Sequence, residues 1–144
     1  MTRYCYDWPR PAVTTDVAVF AERDGQTSIL LIQRGGERFA GSWALPGGFL
    51  EEDETLEACA ARELKEETGL ETGPLRLFGT YSAPGRDPRG RTVTVAFWTK
   101  ASEGSGALAA GDDAADCRWF PLNQLPDLAF DHDRIIADAV RSLT

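Results

Sequence analysis

Residues Glu54 to Thr68 consist of good helix formers with no internal Gly or Pro, and Gly69 stands where a left-handed C-cap belongs. The segment is predicted to be a helix. At about 100° per residue its apolar positions Leu56, Cys59, Ala60 and Leu64 fall on one arc, and Glu63, Glu66 and Glu67 continue that arc. Glu57, Ala58, Ala61, Lys65 and Thr68 are expected on the opposite side. The three glutamates therefore point inward or along a cleft, where two effects oppose them. Like charges at i,i+3 and i,i+4 repel. Carboxylates in a last turn also oppose the helix dipole, each by roughly some tenths of a kcal/mol. A cation is expected to relieve this. Oxygen-only donors with no His or Cys cluster favour Mg²⁺ or Mn²⁺ over zinc, and Mg²⁺ is commonly shared with substrate phosphates. The expected ligand is a phosphate compound.

The 144 residues and 42% hydrophobic content suit one domain, residues 1–144, large enough to enclose a core and a pocket. A net charge of −8 argues against a non-specific nucleic-acid or membrane-surface binder, which needs a basic face. A phosphate substrate must then be received by local arginines and by the metal. Cys5, Cys59 and Cys117 are odd in number and irregularly spaced, so reduced thiols are expected rather than disulfides or a zinc site. With no charged-then-apolar leader and no membrane-length apolar run, a cytoplasmic location is expected.

Residues 12–21 and 28–33 are β-branched and apolar and flank Arg23-Asp24-Gly25, which predicts a hairpin. Trp43-Ala44-Leu45 reads as a short extended piece ending in a turn, Pro46-Gly47-Gly48, whose glycines let backbone approach a ligand. Residues 75–83, 92–100 and 117–120 add strands, and an amphipathic helix closes the chain from about Asp131 to Leu143. This pattern is α/β (α+β), a central mixed β-sheet with helices on both faces.

The spacing across the acidic helix is specific. Gly48 is followed by five residues and Glu54, then by seven residues and Arg62-Glu63-Leu64-Lys65-Glu66-Glu67-Thr68-Gly69-Leu70. Seven fixed residues, each at a base rate of roughly 6%, match by chance on the order of a few times per billion starting points. Residues 48–70 resemble a complete Nudix box. Thr14-Thr15-Asp16, Trp43 to Phe49, Gly85 to Gly90, Ala110 to Asp113 and Ala129 to His132 look like the ADP-ribose pyrophosphatase branch of the Nudix hydrolases.

The resemblance implies an α/β/α sandwich and metal-assisted hydrolysis of a nucleoside diphosphate linked to another group, giving AMP and ribose 5-phosphate from ADP-ribose. It assigns Glu63, Glu66, Glu67 and the carbonyl of Gly47 as ligands of one to three Mg²⁺ or Mn²⁺ ions. It pairs Arg62 with Glu54 to orient the ligand carboxylates. The base that activates water differs within the family between a box glutamate and a loop carboxylate. Asp112, Asp113 and Asp116 are the loop candidates, and Asp113 is taken as the catalytic one. The expected partner is a small-molecule nucleotide, with no nucleic acid and no membrane, and a homodimer is compatible with the family.

Arg34, Arg86, Arg89 and Arg91 are candidate phosphate clamps, since a planar guanidinium matches phosphate oxygens, although each also suits a solvated surface. Trp43, Phe39 and Phe130 either stack on adenine or fill the core. His132 is expected at a surface or helix-capping position, outside the chemistry. Two other readings stand beside the ADP-ribose one: a hydrolase sanitising oxidised nucleoside triphosphates, and a non-catalytic nucleotide sensor.

Overall fold

The computed structural model describes residues 3–35, 41–101 and 114–143. β1 (Ala12–Arg23) and β2 (Gln26–Arg34) form the expected antiparallel hairpin. Asp24 and Gly25 have φ of 52° and 77°, the left-handed pair of a two-residue turn whose twist suits the strands it joins. Pairing between β1 and β2 runs only from Arg23↔Gln26 to Phe20↔Ile29. Beyond that point the strands fork, and residues 42–49 fill the gap. β3 (Trp43–Ala44) bonds to β2, β4 (Gly47–Phe49) bonds to β1, and the Val17 N–H donates to the Pro46 carbonyl at 2.9 Å between them.

This corrects the sequence reading of Pro46-Gly47-Gly48 as a turn: Asp16↔Gly47 and Thr15↔Gly48 are ladder pairs. The glycines are needed because protein, rather than ligand alone, comes close. A Cβ on Gly47 would lie 2.0 Å from the Thr15 carbonyl oxygen, and one on Gly48 would lie 2.4 Å from the carboxyl carbon of Glu63.

That carboxyl belongs to α1 (Leu56–Thr68), the acidic helix. It starts later than expected because Thr55 caps it, its hydroxyl accepting the Ala58 N–H at 3.1 Å. It ends at Gly69, with φ 76° as the C-cap reading required. Thr68 was expected on the outer side and is instead fully buried, one turn after Leu64. Its hydroxyl is satisfied within the helix, donating to the Leu64 carbonyl at 2.7 Å.

β5 (Arg76–Tyr81), β6 (Thr92–Lys100), β7 (Ala114–Pro121) and α2 (His132–Ser142) complete the described elements. β6 runs parallel to β1 over Ala12 to Phe20, while β5 on β6 and β7 on β2 are antiparallel. The sheet order is β3-β2-β1-β6-β5, with β4 attached to β1 and β7 to β2. Side-chain alternation sorts the core into two layers. Val17, Val19, Leu30, Val95 and Phe97 pack with Ala60 and Leu64 of α1, whereas Ala18, Phe20, Ile29, Leu31 and Ala96 pack with Ile135, Ile136 and Ala139 of α2. The result is the expected helix–sheet–helix sandwich around a mixed sheet. Among the described residues no helix is long and apolar enough to cross a membrane.

Gly47→Ala is expected to destabilise the fold by about 1–3 kcal/mol, because the added methyl meets backbone rather than a side chain that can swing away. Gly73→Ala, with open space around the same methyl, should stay within about 0.5 kcal/mol of wild type. Thermal melts followed by circular dichroism compare them; equal melting temperatures would show that the strand gives way easily.

Candidate active site

The acidic end of α1 is organised by one guanidinium. Arg62 donates to both Glu54 oxygens, from Nη2 at 2.6 Å and Nε at 2.9 Å, so the expected Arg62–Glu54 pairing is present and bidentate. Its Nη1 donates to Glu63 at 2.6 Å and to Glu66 at 3.2 Å, and Nη2 also reaches the Phe49 carbonyl at 3.2 Å. These bonds hold the Glu54 carboxyl down at about 2. Glu63 moves the other way. Burial pushes its carboxyl up, and the neighbouring charges of Glu66 and Glu54 add to this against the pull of Arg62.

The glutamates differ in their surroundings. The Glu63 side chain is 16% exposed and its carboxyl lies against Gly48. Glu67 is half-buried and accepts the Gly47 N–H at 2.7 Å. Glu66, expected on the same inward arc, sits at its rim with 59% of its side chain exposed. Among the described residues no three His, Cys, Asp or Glu side chains already enclose a common point. The donor set nonetheless fits a hard divalent cation. Two carboxylates converge on the consecutive residues Gly47 and Gly48, a third stands at the rim, and every donor is oxygen, leaving positions for water and phosphate.

Gly47, Gly48 and Glu67 form one wall of a small open cleft that continues past Arg34, Arg89, Phe130, Arg86, Asp16 and His132. Arg34 lies 4.9 Å and Arg89 5.1 Å from the centre of the Phe130 ring. Burial, and then the nearby positive charge of Arg89, hold the Arg34 guanidinium below its ordinary range. Two guanidiniums thus stand against one aromatic ring at the cleft. Arg89 also chelates Asp87, its Nη2 at 2.7 Å, and burial of Asp87 is outweighed by these bonds so that it stays below the usual carboxylate range.

Three sequence expectations change here. Arg86 lines the cleft but is committed to the protein: it donates twice to Asp131 at 2.7 Å and once to the Thr94 hydroxyl at 2.8 Å, with 6% of its side chain exposed. Trp43 does not line the cleft; its ring is buried edge-on against Phe120 at 4.8 Å, because β3 turns it into the α2-side core. His132, expected near the surface, is 4% exposed, accepts the Leu45 N–H on Nδ1 at 2.9 Å and faces Asp16 with Nε2 at 3.3 Å. The motifs holding Asp16 and His132 were visible in the sequence, but their pairing across 116 positions was not. Arg91 donates to the Ser82 carbonyl at 2.6 Å and braces its own loop. Asp116 accepts the Cys117 N–H and pairs with Arg118. Phe39, Asp112 and Asp113 lie outside the described residues.

A family model describing the NUDIX domain matches residues 11–139. The chain is 48% identical over 131 residues to an ADP-ribose pyrophosphatase of Methanocaldococcus jannaschii, covering 91% of this chain and 74% of that protein. It is 38% identical over 141 residues to an ADPR responsive transcriptional repressor of Acinetobacter baylyi, covering 95% of this chain and 56% of the repressor, so it spans little more than half of that relative. Among solved structures it resembles the NUDIX domain of Shewanella oneidensis NrtR complexed with ADP ribose, with a TM-score of 0.88 and 36% identity over 96% of this chain and 94% of that one.

Because Glu54 is held at about 2 in the folded chain against 4.5 ordinarily, its stabilising effect is fully present above pH 4.5 and is lost as pH falls through about 2. The stability difference between wild type and Glu54→Gln should be level from pH 5 to 8 and shrink steadily below about 4.5. Urea unfolding across that range checks it, and a difference unchanged down to about pH 2.5 contradicts the pairing.

Proposed function

The chain belongs to the Nudix family, and on that premise we propose that it hydrolyses a nucleoside diphosphate linked to a second group, with ADP-ribose giving AMP and ribose 5-phosphate. The observation that carries this reading is the convergence of Glu63 and Glu67 on Gly47 and Gly48 at the wall of a cleft that also holds Arg34 and Arg89. Glu63, Glu66, Glu67 and the Gly47 carbonyl would hold Mg²⁺ or Mn²⁺. Such an ion polarises phosphate oxygens and lowers the pKa of a bound water. Arg62 keeps the carboxylates separated and oriented before an ion arrives. Arg34 and Arg89, both against the Phe130 ring, receive the diphosphate charge.

ADP-ribose is favoured over an oxidised nucleoside triphosphate because both the 48% identical relative and the structural neighbour act on or bind it. The repressor relative gives weight to a second reading, binding of ADP-ribose without turnover. The ligand set argues for catalysis, since a sensor has no need of three crowded carboxylates.

On a panel of ADP-ribose, NADH, diadenosine polyphosphates and oxidised dGTP with Mg²⁺ or Mn²⁺, kcat/KM is expected to be highest for ADP-ribose and abolished by chelator. Glu67→Gln should lower kcat by about 10²- to 10⁴-fold. Preference for a triphosphate overturns the substrate, and tight ADP-ribose binding without hydrolysis supports the sensor. In the same assay Asp113→Asn falls by a comparable factor if Asp113 is the base. A loss of less than tenfold assigns the base to the box glutamates.

A further inference from the structure

The segment Leu45 to Gly47 carries the backbone at which the α1 carboxylates converge, and its placement depends on a bond that no strand supplies. Trp43 and Leu128 form a parallel bridge, with the Trp43 N–H on the Asp127 carbonyl at 3.0 Å and the Ala129 N–H on the Trp43 carbonyl at 2.8 Å. In a continued parallel ladder the next donor, the Leu45 N–H, would take the Ala129 carbonyl. The chain turns into α2 there instead, and the Ala129 carbonyl accepts the His132 N–H at 3.2 Å. The Nδ1 of His132 stands in for the missing carbonyl and accepts the Leu45 N–H at 2.9 Å.

This bond fixes the tautomer. Nδ1 accepts, so the proton is on Nε2, which faces the Asp16 carboxylate at 3.3 Å. The other oxygen of that carboxylate lies against Gly47, where a Cβ would approach it to 2.4 Å. His132 and Asp16, 4% and 7% exposed, thus grip the backbone on both sides of Pro46. The next N–H along, that of Gly47, is the one that meets Glu67 at 2.7 Å.

We propose that His132, acting with Asp16, is a positioning residue for the metal centre: it fixes the backbone of Leu45 to Gly47 so that the Gly47 carbonyl and the carboxylates of Glu63 and Glu67 are arranged before an ion binds. This rests on the metal-dependent reading above. A histidine serving packing alone would affect melting temperature and leave metal affinity and the kcat-to-KM balance in place. One that sets ligand geometry changes metal affinity in the otherwise folded protein, as outer-shell partners of metal ligands do.

The test titrates Mn²⁺ into the full chain without substrate, followed by electron paramagnetic resonance, and then measures kcat and KM for ADP-ribose. His132→Gln can reach Asp16 but leaves the Leu45 N–H without its acceptor; the Mn²⁺ Kd is expected to rise about 10- to 100-fold, with kcat reduced and KM little changed. His132→Asn keeps an acceptor at the Nδ1 position and should return most of the affinity. Wild-type affinity in His132→Gln, or equal weakening in both variants in step with lost melting temperature, overturns the proposal. A wild type that binds no Mn²⁺ overturns the metal reading together with it. An independent measurement needs no variant: the Leu45 amide and His132 Nδ1 resonances of wild type should shift on Mg²⁺ addition, and resonances that stay put overturn the proposal.

Discussion

The approach of two carboxylates to a strand without side chains sets the geometry of this molecule. Glu63 reaches Gly48 because that residue carries no Cβ, and the missing Cβ of Gly47 lets β4 lie close against Thr15 and Asp16 of β1, where the Gly47 amide meets Glu67. The charge brought together there is relieved unevenly. Arg62 serves Glu54, Glu63 and Glu66 at once, and burial still pushes the Glu63 carboxyl up. A helix whose last turn gathers anions against its own dipole is a poor element for stability alone. It is a good one for holding a divalent cation beside a phosphate.

The forked hairpin makes that approach available. If β1 and β2 paired along their full lengths, residues 42–49 would have no edge to occupy. Because pairing stops at Phe20↔Ile29, β4 lies on β1 inside the fork, within reach of α1. One face of β1 then carries Val17 and Val19 to α1, the other carries Ala18 and Phe20 to α2, and Asp16 is left at the cleft beside Gly47.

Local physics made the helices, the hairpin turn and most strands legible. Gly69 and the Asp24-Gly25 pair announce left-handed backbone, and β6 spans the residues 92–100 read as a strand. The glycines at 47 and 48 were read as a turn because a sequence does not reveal that a strand edge stands open to receive them. In the site, the box glutamates and the Arg62–Glu54 pair were legible because helical spacing and short loops fix them. The pairing of Arg86 was not legible for the opposite reason: its partner Asp131 lies 45 positions away, and nothing local distinguishes an arginine paired inside the protein from one awaiting phosphate. His132 escaped notice likewise, since its acceptor role depends on where a parallel bridge ends.

The most direct measurement of the central claim is a crystal structure with Mn²⁺ and a non-hydrolysable ADP-ribose analogue, with the ion located by its anomalous signal. The predicted result is a peak bounded by Glu63, Glu67 and the Gly47 carbonyl, with the diphosphate running from it toward Arg34 and Arg89. An ion or diphosphate bound elsewhere, with the α1 carboxylates still held by Arg62 and Gly47 alone, would contradict it.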